Sequence, residues 1–174
     1  MRSQTPQLIV IMGVCGCGKS SVGEALSLRT GISYHDGDDF HSDANRNKMS
    51  QGIPLTDEDR QPWLESIVAF AQQQCEQGRS LVVACSALKK AYRDTLRTLD
   101  APVKFVHLTG SKATIASRLA DRKGHYMPET MLQSQLDTIE SPTGENGAVE
   151  VSIEQTVDQI VSQAMELLDL TTEG

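Results

Sequence analysis

Short apolar runs alternate with helical patterns along the whole chain. Segments 8–12 and 81–85 are apolar at every position, which is typical of strands that are buried on both faces of a parallel sheet. Segments 32–35, 103–108 and 149–153 are also predicted strands. Because helical patterns lie between these strands, the sequence predicts an α/β fold with a parallel β-sheet and helices on both faces. Ligands of such folds bind beyond the carboxyl ends of the strands.

Apolar residues at helical spacing predict the helices. Segments 19–30 and 57–77 each carry such residues, and Gly31 marks a C-terminal stop for the first of these two helices. Further helices are predicted at 88–99 and 157–168. Ser111 can cap another that carries Ile115 and Leu119, and one more begins near Pro128 and carries Ile139. The second predicted strand is followed by a segment, residues 36–64, that is dense in polar groups.

Composition and charge narrow the classes of protein. The chain has 174 residues, of which 39% are hydrophobic and 22% charged, which predicts one soluble domain over residues 1–174. The net charge of −7 argues against general nucleic-acid binding, because such binding depends on neutralising phosphates. No apolar run is long enough for a membrane span or a signal-peptide core, so we expect a cytoplasmic protein with no membrane partner.

A glycine-rich segment follows the first predicted strand and opens the first predicted helix. Residues 13–20 fit the phosphate-binding pattern G-x-x-x-x-G-K-[ST]. Its backbone N–H groups can surround phosphate oxygens, Lys19 can reach the β- and γ-phosphates, and the Ser20 hydroxyl can bind Mg²⁺. The predicted nucleotide-binding residues are Gly13, Val14, Cys15, Gly16, Cys17, Gly18, Lys19, Ser20 and Ser21.

Acidic residues follow the second predicted strand. Asp36 and Asp38 lie two positions apart at the end of that strand, so both can face the same crevice. One carboxylate can hold a metal ion through water, and the other can accept the proton of an attacking hydroxyl group. Asp39 is equally compatible with a polar surface turn.

Basic and polar residues indicate an anionic acceptor and a lid. Arg46, Lys48 and Arg60 lie near the acids in the sequence, and Ser86, Lys89 and Arg93 follow the third predicted strand. A small, anionic, polyhydroxylated molecule would suit this mixture. Arg118, Arg122, Lys123 and His125 concentrate positive charge near a glycine, as a mobile lid over the phosphates would require.

Six segments together resemble the gluconate kinase (gluconokinase) family, which is related to shikimate kinase and the nucleoside monophosphate kinases. They are residues 12–20, 36–41 (DGDDFH), 47–55, 57–64 (DEDRQPWL), 85–94 (CSALKKAYRD) and 122–125 (RKGH). The resemblance covers nearly the whole chain. It implies a P-loop NTPase fold with a lid at about residues 118–130, ATP and Mg²⁺ as cofactors, and phosphorylation of D-gluconate at its 6-hydroxyl. It also implies a homodimer.

The resemblance also implies roles for particular residues. Asp36 would be the acid on the metal side, Asp38 the base, and Arg60 the partner of the acceptor carboxylate. Arg118 would lie along adenine, and Arg122 would contact the phosphates from the lid. The implied catalytic residues are Lys19, Asp38 and Arg122, and the implied substrate-binding residues are Asp38, His41, Lys48, Arg60, Ser86, Lys89, Arg93 and His125.

The sequence departs from the family pattern at Cys15 and Cys17, where serine is usual, and at Ser42, where proline is usual. The positive environment of the loop could lower a thiol pKa and make one of these cysteines reactive, or both side chains could be packed and inert.

Two other functions also fit a phosphate-binding loop. They are a shikimate or nucleotide kinase, and a regulatory ATPase without a small acceptor.

Overall fold

Five parallel strands form the centre of the molecule. The computed structural model describes residues 5–14, 16–120 and 129–170. The strands are β1 (Leu8–Met12), β2 (Ser33–Asp36), β3 (Leu81–Ala84), β4 (Val103–Thr109) and β5 (Ala148–Ser152). They pair in the order β2-β3-β1-β4-β5, all in parallel. The predicted parallel sheet is confirmed, with every strand within two residues of its predicted position.

Helices connect the strands. They are α1 (Lys19–Thr30), α2 (Asp43–Ser50), α3 (Asp57–Glu76), α4 (Lys90–Leu96), α5 (Lys112–Ala120), α6 (Glu129–Thr138) and α7 (Val157–Leu168). Gly31 ends α1 in the left-handed conformation, with φ of 76°, as predicted. Within the described ranges, no helix is both long and apolar enough to cross a bilayer.

The polar stretch after β2 is ordered by side-chain caps. A 3₁₀ helix (Gly37–Phe40) begins where the Asp36 side chain accepts a hydrogen bond from the Asp38 amide. α2 begins where the Ser42 hydroxyl accepts one from the Asn45 amide. The sequence pattern did not predict these two elements, because neither carries an apolar stripe.

The two faces of the sheet bury separate cores. Ile9 and Ile11 of β1 point to a core that α1, α5, α6 and α7 cover. Leu8, Val10 and Met12 point to the opposite core, beneath α3 and α4. The side chains of a strand alternate in direction, so a strand that is apolar at every position can serve two cores. Helices on both faces are therefore confirmed.

Arg93 lies inside the protein rather than in a substrate site. Its side chain is fully buried and makes four hydrogen bonds, to both oxygens of Glu145 and to the carbonyls of Ala87 and Glu140. Arg97 bonds to Glu145 as well, at 2.8 Å. The prediction that Arg93 contacts the acceptor is wrong, because no surface of this residue is left for a ligand.

The bond from Arg93 to Ala87 supports an unusual turn after β3. Ala87 has a φ of 46°, a left-handed conformation that non-glycine residues seldom adopt. The Arg93 Nη1 group donates to its carbonyl at 2.7 Å. Such strain persists where the surrounding structure holds it. Arg93 therefore fixes the turn between Ser86 and Lys89 and does not bind substrate directly.

We predict that Glu145→Gln destabilises the protein by about 1.5–3 kcal/mol at neutral pH, because a buried arginine loses its charged acceptor. Hydrogen bonds from Arg93, and secondarily from Arg97, lower the pKa of Glu145 from 4.5 to about 2. The stabilisation is therefore complete above the unfolded pKa and is lost as the pH falls towards 2. Urea unfolding of both proteins should show a difference in unfolding free energy that shrinks in acid.

The matched control is Glu166→Gln, since Glu166 is exposed on α7. If the two variants had equal unfolding free energies at neutral pH, Glu145 would not stabilise the fold in this way.

Candidate active site

The loop between β1 and α1 has the backbone of a phosphate cradle. Gly13 and Gly16 have φ values of 146° and 90°. A Cβ atom at Gly13 would lie 2.7 Å from the Cys17 sulfur, and one at Gly16 would lie 2.6 Å from Cγ of Leu119. Side chains are therefore excluded by both conformation and space, and the loop can present its backbone to a ligand.

Lys19 is the first residue of α1, and its amine folds over the loop. The Nζ atom donates to the carbonyls of Gly13 at 3.0 Å and Val14 at 3.1 Å. The amine therefore lies at the N-terminal end of α1, where the helix dipole also favours an anion. Ser20 and Ser21 follow Lys19 in the first turn of the helix.

The two predicted acids lie at the end of β2, as the sequence indicated. The Asp36 carboxylate accepts a hydrogen bond of 2.9 Å from the backbone N–H of Asp38. Desolvation by the surrounding protein and the negative charge of Asp36 raise the pKa of Asp38, while Lys19 acts in the opposite direction. The side chain of Asp38 is 79% exposed, which limits the effect of desolvation and makes the charge of Asp36 the firmer cause. Asp38 is thus an accessible carboxylate with raised proton affinity.

A stacked pair of rings lies behind Asp38. The imidazole of His41 stacks on the indole of Trp63, with the ring centroids 4.2 Å apart. The Trp63 Nε1–H donates to the Gly37 carbonyl at 2.7 Å. This bond ties α3 to the 3₁₀ helix that carries Asp38. His41 itself is only 8% exposed and does not line the neighbouring cavity, so it packs behind the site.

A cavity of about 410 Å³ opens next to these elements. The first turns of α3 contribute Asp57, Arg60 and Trp63, which share one face of the helix. The turn after β3 contributes Ser86 and Lys89. Because the Gly13 amide donates to the Ser86 carbonyl at 3.3 Å, the wall of this cavity is joined to the phosphate loop.

The basic wall of the cavity is held in place by its own hydrogen bonds. Arg60 Nη1 donates to the Leu55 carbonyl at 2.8 Å and to the Tyr92 hydroxyl at 3.1 Å. Lys89 Nζ pairs with Asp57 at 3.1 Å, and the Tyr92 hydroxyl also donates to Asp57. Two cations and one carboxylate therefore share this wall, which leaves a net positive charge for an anionic ligand.

The structure gathers only some of the predicted acceptor residues around this cavity. Arg60, Ser86 and Lys89 line it. Lys48 is paired with Asp59 at 2.7 Å and is absent from the lining. That bond and the Thr56 cap lower the pKa of Asp59 to about 2, so the Lys48 pair persists at neutral pH. Arg122 and His125, and most of the predicted lid, lie outside the described residues.

Sequence reasoning missed several residues of the cavity. Asp57 and Trp63 lie in segment 57–64, and Tyr92 lies in segment 85–94, two of the segments that resemble the family. Their polar or aromatic side chains at helical spacing were the signal that could have identified them. The polar face of α6 contributes Ser134, Gln135 and Thr138. An ordinary amphipathic helix has the same pattern, so this contribution could not be predicted from the sequence.

A second, smaller cavity of about 150 Å³ lies against the phosphate loop. Its lining includes Gly16, Gly18, Arg118 and Val157. The guanidinium of Arg118 is anchored to the Ile153 carbonyl at 2.7 Å. The planar cation of Arg118 therefore lies beside the phosphate loop, and its contact with adenine stays a prediction.

The residues near the loop fit a magnesium ion that accompanies a nucleotide. In the described part of the chain, no three His, Cys, Asp or Glu side chains form a group that could hold a metal ion. Mg²⁺ commonly takes only one or two protein oxygens and completes its shell with phosphates and water. The Ser20 hydroxyl and the Asp36 carboxylate supply oxygens of that kind.

Fold and loop together define a P-loop kinase, and comparisons with known proteins agree. A family model described as an AAA domain matches residues 8–142. The chain is 42% identical to the gluconokinase of Gluconobacter oxydans (strain 621H) over 158 residues, which cover 91% of this chain and 89% of that protein. It is 39% identical to the thermosensitive gluconokinase of Escherichia coli (strain K12), covering 88% and 83% of the two chains. The chain belongs to the gluconokinase family.

Solved structures support the same conclusion. The crystal structure of a gluconokinase from Sinorhizobium meliloti 1021 superimposes with a TM-score of 0.86 at 45% identity, over 95% of this chain and 93% of that one. Shikimate kinase from Aquifex aeolicus gives a TM-score of 0.57 at 13% identity, over 93% and 96% of the two chains. That second likeness shows a shared fold alone.

The burial of the described cysteines argues against a reactive thiol among them. Cys17 is fully buried and packs in the core beneath α1, so it is inert packing rather than an accessible thiol. Burial raises the pKa of Cys85 to about 12 and also raises that of half-buried Cys75. Cys15 lies outside the described residues.

We predict that the folded Cys15→Ser variant reacts slowly with iodoacetamide at neutral pH. The thiolate is the reacting species, and burial opposes its formation at the remaining cysteines. Cys17 and Cys85 should be labelled only after unfolding in urea. Mass spectrometry of the labelled peptides measures each site, and rapid labelling of Cys17 in the folded protein would contradict its buried position.

Proposed function

We propose that this protein transfers the γ-phosphoryl group of ATP to the 6-hydroxyl of D-gluconate, giving 6-phosphogluconate and ADP. As a member of the gluconokinase family, it is an ATP-dependent kinase of gluconate. The observation that carries the proposal is the cavity with a basic wall that is joined to the phosphate loop through Ser86. A regulatory ATPase would not need such a cavity.

The nucleotide would lie across the loop between the two cavities. The loop amides and Lys19 would hold its phosphates, and Arg118 would lie against the base. Mg²⁺, held by Ser20 and Asp36, would neutralise negative charge that develops on the phosphate oxygens. Lys19 would move from the Gly13 and Val14 carbonyls to phosphate oxygens at little cost, since both positions are at the same helix end.

Asp38 would act as the base. The gluconate hydroxyl oxygen forms a bond to the γ-phosphorus, the bond from that phosphorus to the β–γ bridging oxygen breaks, and the hydroxyl proton passes to Asp38. The raised pKa of Asp38 increases its affinity for that proton. Its open position at the end of β2 lets a substrate hydroxyl reach it.

The acceptor would bind with its carboxylate on the basic wall. Arg60 is already oriented by the Leu55 carbonyl and Tyr92, so binding costs little side-chain entropy. Lys89 would add a second positive charge. The polar residues of α6 would face the hydroxyl groups of the chain-like substrate.

The homodimer stays a prediction that rests on the family resemblance, and the cytoplasmic location stays a prediction that rests on the apolar runs of the sequence. The roles expected of Lys48, Arg122 and His125 likewise stay predictions, as does the single domain with a lid at about residues 118–130.

We predict that Asp38→Asn lowers kcat for gluconate by about 100-fold or more, since it removes the proton acceptor, and leaves the ATP KM nearly unchanged. A coupled ADP assay with gluconate, related sugar acids, shikimate and AMP measures both this effect and the acceptor class. ADP release that needs no acceptor, or a preference for shikimate or AMP, would contradict the proposed function.

We predict that Arg60→Ala mainly raises the gluconate KM. Loss of a charge-assisted pair with a carboxylate should cost about 2–4 kcal/mol, or roughly 30- to 1,000-fold. The charge-matched control is Arg79→Ala, because Arg79 is exposed just before β3, at the amino end of that strand, whereas the cavity lies beyond its carboxyl end. If the ATP KM rose while the gluconate KM did not, Arg60 would belong to the nucleotide site.

A further inference from the structure

Asn45 fixes the protonation pattern of the His41 ring. Asn45 is 5% exposed, and its Nδ2 atom lies 2.9 Å from the Asp59 carbonyl. A carbonyl can only accept, so the nitrogen and not the oxygen of the amide must face it. The same nitrogen lies 3.2 Å from Nδ1 of His41. His41 Nδ1 is therefore an acceptor.

His41 is neutral at neutral pH. Burial lowers the pKa of this imidazole to about 4, and the positive charges of Arg46 on α2 and Arg60 on α3 act in the same direction. The acidic group that faces the ring is Asp38 on the 3₁₀ helix. A neutral imidazole carries one N–H, and since Nδ1 accepts a bond, that N–H is on Nε2.

The Nε2 atom points to the base of the proposed reaction. It lies 3.9 Å from Oδ1 of Asp38, somewhat beyond a direct hydrogen bond. Catalytic hydrogen bonds are often this long before substrate binds and shorten in the complex. The stack on Trp63 fixes the plane of the ring, so the N–H keeps its direction.

We propose that His41 is a positioning residue, whose Nε2–H, directed by Asn45, orients the Asp38 carboxylate towards the acceptor hydroxyl. This inference rests on the proposed role of Asp38 as the base. It replaces the expectation that His41 binds substrate. In the complex with substrate, one Asp38 oxygen accepts the shortened hydrogen bond from His41, and the other is left to accept the proton of the substrate.

Kinetics of the full chain test the proposal. His41→Phe keeps a ring on Trp63 but removes the N–H, so kcat for gluconate should fall about 10-fold or more. The KM values for gluconate and ATP should stay near those of the parent. His41→Gln, which can place an amide N–H near the position of Nε2, should recover part of the lost kcat. A raised gluconate KM with unchanged kcat would show direct substrate binding and overturn the proposal.

A double-mutant cycle separates this proposal from the role of Asp38. In the Asp38→Asn background, His41→Phe should have much less effect on kcat than it has in the parent, because the group it orients is gone. If Asp38→Asn lowers kcat and the His41→Phe loss simply adds to it, only the positioning role fails. If Asp38→Asn leaves kcat unchanged, the base itself is misassigned.

The protonation pattern can be measured without any turnover. Nitrogen-15 NMR of the histidine rings in the parent protein should show His41 protonated at Nε2 only, and Asn45→Ala should weaken that preference. A His41 ring protonated at Nδ1, or one that is positively charged at neutral pH, would overturn the proposal. Thermal melting of each variant confirms that it is folded.

Discussion

The parallel register of β2, β3 and β1 is the constraint on which the site depends. It sets Asp36 opposite Ala84 and Ala84 opposite Ile11, so three strands end at the same edge of the sheet. The hydrogen bonds from Cys85 to the Ile11 carbonyl and from Gly13 to the Ser86 carbonyl continue that register past the strand ends. The phosphate loop, the proposed base Asp38 and the basic wall of the cavity are thereby joined through the backbone, and a shift of one strand would misplace all three.

Local charge in the site departs from the charge of the whole chain. The protein has a net charge of −7, yet on the basic wall of the cavity the two cations Arg60 and Lys89 outnumber the one carboxylate, Asp57. Asp57 accepts hydrogen bonds from Lys89 and from the Tyr92 hydroxyl, and that hydroxyl accepts one from Arg60, so both cations are held in place. An acidic exterior with a basic cavity favours small anions that enter the cleft and disfavours polyanions that must lie across the surface.

Patterns that are local in sequence predicted most of the fold and the position of several candidate site residues. The apolar runs predicted the strands, and the glycine-rich segment and the acids predicted which side chains follow β1 and β2. The burial of Arg93 could not be predicted this way, because its partner Glu145 is 52 positions away. The roles of Ser42 and Asn45 depend on caps and tertiary contacts rather than on a hydrophobic period.

Buried polar groups here hold residues that line the cavity, and a sequence motif alone does not distinguish such a group from one that lines the cavity itself. Arg93 holds the carbonyl of Ala87, and that turn presents Ser86 and Lys89. A buried group is costly unless every donor and acceptor is matched, so each such network has one well-defined arrangement. That rigidity is useful in a kinase, because phosphoryl transfer depends chiefly on alignment and on fixed charge.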